Sequence, residues 1–89
     1  MVRAHVFVSG KVQMVGYRYA TVQEARRLNI QGWVRNLSDG RVEAVFEGKK
    51  ETIEDMIAWC HQGSSAAVVE SVQIEWEDFA GIEGFTVKY

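Results

Sequence analysis

The sequence contains no proline. At the usual frequency of ~5%, about four would be expected in a chain of this size. The single cysteine, Cys60, excludes an internal disulfide, and no His, Cys and carboxylate residues are clustered with the spacing of a zinc site. No run of 18 apolar residues occurs, so no segment reads as a membrane-spanning helix. The opening MVRAHVFVSGKVQ lacks an apolar stretch followed by a small-residue cleavage site, which argues against a secretory signal and makes the cytoplasm the expected location. There is also no acid/base dyad and no GxxxxGK[ST] phosphate loop.

What is present is ordinary in amount and uneven in arrangement. The 89 residues suffice for one domain, 1–89, with a single modest core. Apolar residues make up 47% and charged residues 25%, values of a soluble globular protein. The net charge of −2 conceals an asymmetry. Residues 1–41 carry seven basic against two acidic side chains, whereas residues 42–89 carry three against ten. An anionic ligand should therefore prefer groups from the first half.

HVFVSG reads as a first strand ending at Gly10. A helix is predicted from about Tyr19 to Asn29, with Val22, Ala25 and Leu28 inward and Asn29 in the left-handed conformation that ends it. GWVRNL and RVEAVFEG follow as strands joined through Ser38-Asp39-Gly40. In the second of them Val42, Ala44 and Phe46 should face the core, with Glu43 and Glu47 on a partly polar face. Ile53, Met56, Ile57 and Cys60 form one stripe of a second helix, from about Glu51 to Gln62, stopped by Gly63. After the loop GSSAA, Val72, Ile74 and Trp76 alternate with polar residues as a half-buried strand, and Phe85, Val87 and Tyr89 form a short last one. The order β-α-β-β-α-β plus a terminal strand predicts an α+β sandwich of the ferredoxin-like kind, an antiparallel sheet with two helices on one face.

Most candidate reactive groups read as structural. His5 and His61 pair with no nucleophile or carboxylate at a catalytic spacing, and Cys60 lies on the apolar helix stripe. The exception is GKVQMVGYR, Gly10 to Arg18, where a strand ends, two glycines frame a loop and a helix begins. Successive backbone N–H groups in such a loop, with the free donors of a first helical turn, can make an anion nest, and Arg18 adds a fork suited to phosphate oxygens. On physical grounds alone, an arginine at a surface turn remains the other open reading.

GKVQMVGYR resembles the acylphosphatase signature G-x-V-Q-G-V-x-[FY]-R at every fixed position except Met14, and GWVRNLSDGRVEAVFEG, Gly32 to Gly48, is similar to the second signature of that family throughout. GSSAAVVESV also resembles the family's segment before its fourth strand. The resemblance covers nearly the whole chain. It implies the ferredoxin-like fold and metal-independent, cofactor-free hydrolysis of acyl phosphates to a carboxylate and inorganic phosphate. It implies further that Arg18 binds phosphate, that Asn36 positions the attacking water, and that the backbone of Gln13, Met14, Val15, Gly16, Tyr17 and Arg18 forms the cradle. The expected partners are a small acyl phosphate and inorganic phosphate, with neither nucleic acid nor membrane, and the expected state is a monomer. Two departures stand out. Met14 replaces a glycine, which implies either a strained loop or a side chain overhanging the pocket; a silent anion-binding module of the same fold is the alternative. Ser38, Ser64 and Ser65 occupy positions where relatives often carry proline, a pattern expected of an engineered or otherwise altered variant. An RNA-binding sandwich is disfavoured by the acidic balance and the missing K/R-G-F/Y-G/A-F-V-x-F/Y motif.

Overall fold

The alternation of Ala4, Val6 and Val8 with Arg3, His5 and Phe7 gives the first strand one wholly buried face. The computed structural model, which describes residues 1–89, builds the rest of the core on that face. The elements are β1 (Val2–Lys11), α1 (Tyr17–Arg27), β2 (Gln31–Asn36), β3 (Val42–Gly48), α2 (Lys50–Cys60), β4 (Val68–Glu77) and β5 (Phe85–Val87). They form a five-stranded sheet in the order β4-β1-β3-β2-β5, with α1 packed on β2 and β5 and α2 on β1 and β3. This is the ferredoxin-like sandwich that the element order predicted.

The sheet is mixed rather than wholly antiparallel. β5 runs parallel to β2, with Gly32, Trp33 and Val34 opposite Phe85, Thr86 and Val87. The helix-free connection after β4 reverses the chain, and the direction opposite to β4 is that of β1 and β2. α1 begins two residues earlier than its apolar spacing suggested. Gly16, at φ +78°, turns the loop directly into the first helical turn, a conformation that costs a glycine little. The buried line of α1 is Tyr17, Thr21 and Ala25, with Val22 and Leu28 only partly covered. Thr21 escaped notice because its hydroxyl is satisfied locally, donating to the Tyr17 carbonyl at 2.7 Å. Asn29 does take the left-handed conformation, φ +58°, that ends the helix.

The pattern misjudged β3 and β4 for one reason, namely position in the sheet. β3 is central, so Glu43 and Glu47 are buried along with its apolar residues. β4 is an edge strand that neither helix covers, so Ile74 and Trp76 stay 37% and 52% exposed although they pair with buried Val6 and Ala4.

The helix-free face of the sheet carries a charged network. The His5 ring lies 2.7 Å from Glu77 through Nδ1 and 2.6 Å from Glu43 through Nε2, and Arg35 also binds Glu43. Arg3 bridges Glu77 and Glu47 at 2.9 and 3.1 Å. Burial disfavours the charged imidazole, but the hydrogen bonds to Glu77 and Glu43 outweigh it and raise the His5 pKa above its ordinary value. Burial acts to raise the Glu43 pKa, yet His5 and Arg35 hold it below the ordinary carboxylate value.

The signs fix a pH window for stability. A raised histidine pKa gives stabilisation that is complete below the unfolded value of about 6.5 and is lost as pH rises through the folded value. A lowered Glu43 pKa gives stabilisation that is complete above about 4.5 and is lost as pH falls through the folded value. Stability should therefore be greatest between about pH 5 and 6.5. On the alkaline side about 1 kcal/mol should be lost, roughly 4–8 °C in Tm for a domain of this size. Thermal unfolding of wild type and His5→Gln across pH 5–9 checks this, because the variant should lack the alkaline fall.

Candidate functional site

The site is built where β1 ends. Beyond Lys11 the chain leaves the sheet as Val12–Gly16 and enters α1 at Tyr17. Three anchors hold the loop. Val12 and the Tyr17 ring are buried in the core, and the Tyr17 hydroxyl donates to the Cys60 carbonyl at 2.8 Å. The Gln13 amide donates to the carbonyls of Leu37 and Arg41 at 2.7 and 2.9 Å, tying the loop to the β2–β3 turn. On the other side the Ser64 hydroxyl donates to the Val15 carbonyl at 2.8 Å.

Two left-handed residues shape the loop between these anchors. Met14 sits at φ +62° and Gly16 at φ +78°. Left-handed residues within a turn point successive N–H groups toward one side, which creates an anion-binding concavity. The N–H groups from Gln13 to Tyr19 donate to no acceptor in the protein, either in the backbone or in side chains. Met14 therefore carries the strain of a β-carbon in the left-handed region, on the order of 1–2 kcal/mol. Its side chain stands fully in solvent and does not fill the concavity.

A cleft of about 370 Å³ opens at this loop, with Met14, Gly16, Tyr17, Arg18 and Asn36 among its lining residues. Arg18 makes no ion pair and no hydrogen bond; its guanidinium lies 5.6 Å from the centre of the Tyr89 ring. Asn36 is the last residue of β2, opposite Val42 of β3, so the sheet register sets its place. Its Oδ1 is buried without a hydrogen-bond partner. Such an orphaned acceptor is rare in a folded protein.

Of the predicted residues, the structure thus brings Arg18, Asn36, Met14, Gly16 and Tyr17 to one cleft. The side chains of Gln13 and Val15 are elsewhere, Gln13 bracing the loop from behind. Ser64 was missed as a support because nothing in its local sequence indicates a contact with Val15, forty-nine residues away.

The remaining reactive groups lie outside the cleft. Burial pushes the Cys60 thiol up to about 12 and raises the Tyr17 phenol still further, so neither ionises near neutrality. His61 contacts the Ile57 carbonyl at 3.0 Å, one turn back on the same helix. The one group of three ligand-type side chains close enough to share a cation, His5, Glu75 and Glu77, is on the helix-free face. Both ring nitrogens of that histidine already face carboxylates.

Comparison with known proteins extends these observations. The profile of the Acylphosphatase family matches residues 4–87. The chain is 59% identical over 88 residues to an acylphosphatase of Nostoc sp. strain PCC 7120, covering 99% of this chain and 87% of that one. It is 56% identical to an acylphosphatase of Natronomonas pharaonis, covering 98% and 95% of the two chains. The crystal structure of acylphosphatase from Bacillus subtilis superposes with a TM-score of 0.97 at 31% identity and covers both chains completely.

Proposed function

The chain belongs to the acylphosphatase family, and from that premise we propose that its cleft hydrolyses acyl phosphates by holding the phosphoryl group against the loop and Arg18 while Asn36 aims a water at phosphorus. The observation that carries this reading is the meeting of free N–H groups, an unpaired arginine and an orphaned amide oxygen in one cleft.

The chemistry suits a site without acids or bases. The leaving group is a carboxylate, whose conjugate acid has a pKa near 4, so it departs without a proton. Phosphoryl transfer passes through a loose transition state, in which positioning and charge stabilisation dominate. Arg18 and the N–H arc supply fixed positive potential where the equatorial oxygens lie. The Asn36 amide oxygen accepts a hydrogen bond from water and fixes the line of attack, and the transferred group itself can take the proton. No metal is required by this scheme.

The test is release of inorganic phosphate from benzoyl phosphate in the presence of a chelator. Wild type should turn over, and Asn36→Ala should lose roughly 10²-fold in kcat with a smaller change in KM, because an aimed water contributes mainly to the transition state. Met14→Gly should remain active and gain about 0.5–1 kcal/mol of stability, the relieved strain less the entropy that glycine adds to the unfolded chain. If neither wild type nor Met14→Gly turns over while phosphate still raises Tm, the site is an anion-binding module and the hydrolytic reading is wrong.

A further inference from the structure

The cleft extends beyond the groups that this mechanism uses. Arg18, Val22 and Arg26 recur every four residues and so lie along one side of α1, spanning two turns or about 12 Å of helix rise. All three line the cleft, and Val87 of β5 faces it as well. No aspartate or glutamate lines it, although the protein as a whole is acidic. Arg26 makes no ion pair; one Nη2–H donates to the Phe85 carbonyl at 3.1 Å. That bond steadies the guanidinium and leaves most of its donor fork free. The order along the cleft is therefore cation, apolar wall, cation.

Resting on the acyl-phosphate reading, we propose that Arg26 is a specificity-determining residue. It binds a carboxylate at the far end of the acyl group, so that the preferred substrates are monoacyl phosphates of dicarboxylic acids. Their phosphoryl end lies at Arg18, their methylene chain runs over Val22 and Val87, and their distal carboxylate meets Arg26. A distal carboxylate fits this end better than a second phosphate, because Arg26 stands there without an arc of N–H groups. A substrate with two anionic ends also matches a cleft whose only charged side chains are two arginines, in a protein that is acidic overall.

The experiment compares kcat/KM for succinyl, glutaryl and adipoyl phosphates with that for butyryl phosphate, in wild type, Arg26→Met and Arg26→Lys. Wild type should favour at least one dicarboxylic substrate by about tenfold, the scale of one charge-assisted hydrogen bond, and added salt should reduce the ratio. Arg26→Met should bring the ratio close to one, and Arg26→Lys should retain part of it. A wild-type ratio near one for every chain length would overturn the inference while leaving acyl-phosphate hydrolysis standing, and this arm needs no variant to fold. Equal loss on both substrate types in Arg26→Met would also overturn it, since Arg26 would then act only through its hold on Phe85. Failure to hydrolyse any acyl phosphate would instead remove the proposed function and this inference together.

Discussion

Replacing Arg18 by alanine is expected to lower kcat/KM for benzoyl phosphate by about 10³-fold or more. The size follows from the surroundings of the side chain. Arg26, two helical turns away, is the one other cationic residue lining the cleft, so nothing can take over the charge that Arg18 supplies. Arginine donors on a transferring phosphoryl group have effects of about 10³–10⁵ when added or removed. Arg18→Lys keeps a charge but loses the planar fork, and should recover only part of the loss. Because Arg18 makes no ion pair or hydrogen bond within the protein, the alanine variant should keep its stability to within about 0.5 kcal/mol. Steady-state kinetics together with thermal unfolding separates the two effects. A loss of less than tenfold in a folded Arg18→Ala protein would take this residue out of the mechanism.

Glu47→Ala should cause the largest loss of stability, about 3–5 kcal/mol, the range expected when one partner of a buried ionic cluster is removed. That is a large share of the 5–15 kcal/mol available to a small domain. Glu47 is fully buried on the central strand. Its carboxylate accepts the N–H groups of Ala80, Gly81 and Ile82 at 2.8, 3.0 and 2.8 Å, and it pairs with Arg3. Burial would raise its pKa, but the N–H groups of Ala80 and Ile82 together with Arg3 hold it below the ordinary carboxylate value. The segment it receives must cross from β4 at one edge of the sheet to β5 at the other. Four strand spacings are about 19 Å, and the eight Cα–Cα steps from Glu77 to Phe85 reach at most about 29 Å, so the segment crosses the sheet directly. Glu47 holds it midway. Without the carboxylate, three N–H groups lose their acceptor, Arg3 keeps only Glu77, and the crossing segment loses its central hold. A fall in Tm of more than 10 °C is expected, with Glu47→Gln falling less because its amide oxygen can still accept. A change under 3 °C would show that the segment is held by other means.

The chain made its elements legible wherever a residue's environment depends on near neighbours. The apolar stripe of α2, the left-handed Asn29 and the turn glycine Gly40 all follow from sequence spacing and local backbone chemistry. Legibility failed where burial depends on strands distant in sequence. Glu43 and Glu47 read as part of a partly polar face because alternation cannot reveal that β3 lies at the centre of the sheet. Ile74 and Trp76 read as half-buried because the same alternation cannot reveal an uncovered edge.

For the site the division is similar. By itself the sequence determined the glycine-framed loop running into a helix, the arginine at the head of that helix, the two signatures and the odd residue Met14. Only the tertiary structure decided that Met14 bears a left-handed backbone with its side chain in solvent, and that Gln13 and Ser64 brace the loop from opposite sides. It alone placed the unsatisfied oxygen of Asn36 in the same cleft as Arg18, and set Arg26 at the far end of that cleft. The physical reason is range. Backbone conformation and helix spacing are fixed within a few residues, whereas the satisfaction of a polar atom and the lining of a cleft are settled by groups that only sheet register and helix packing bring together.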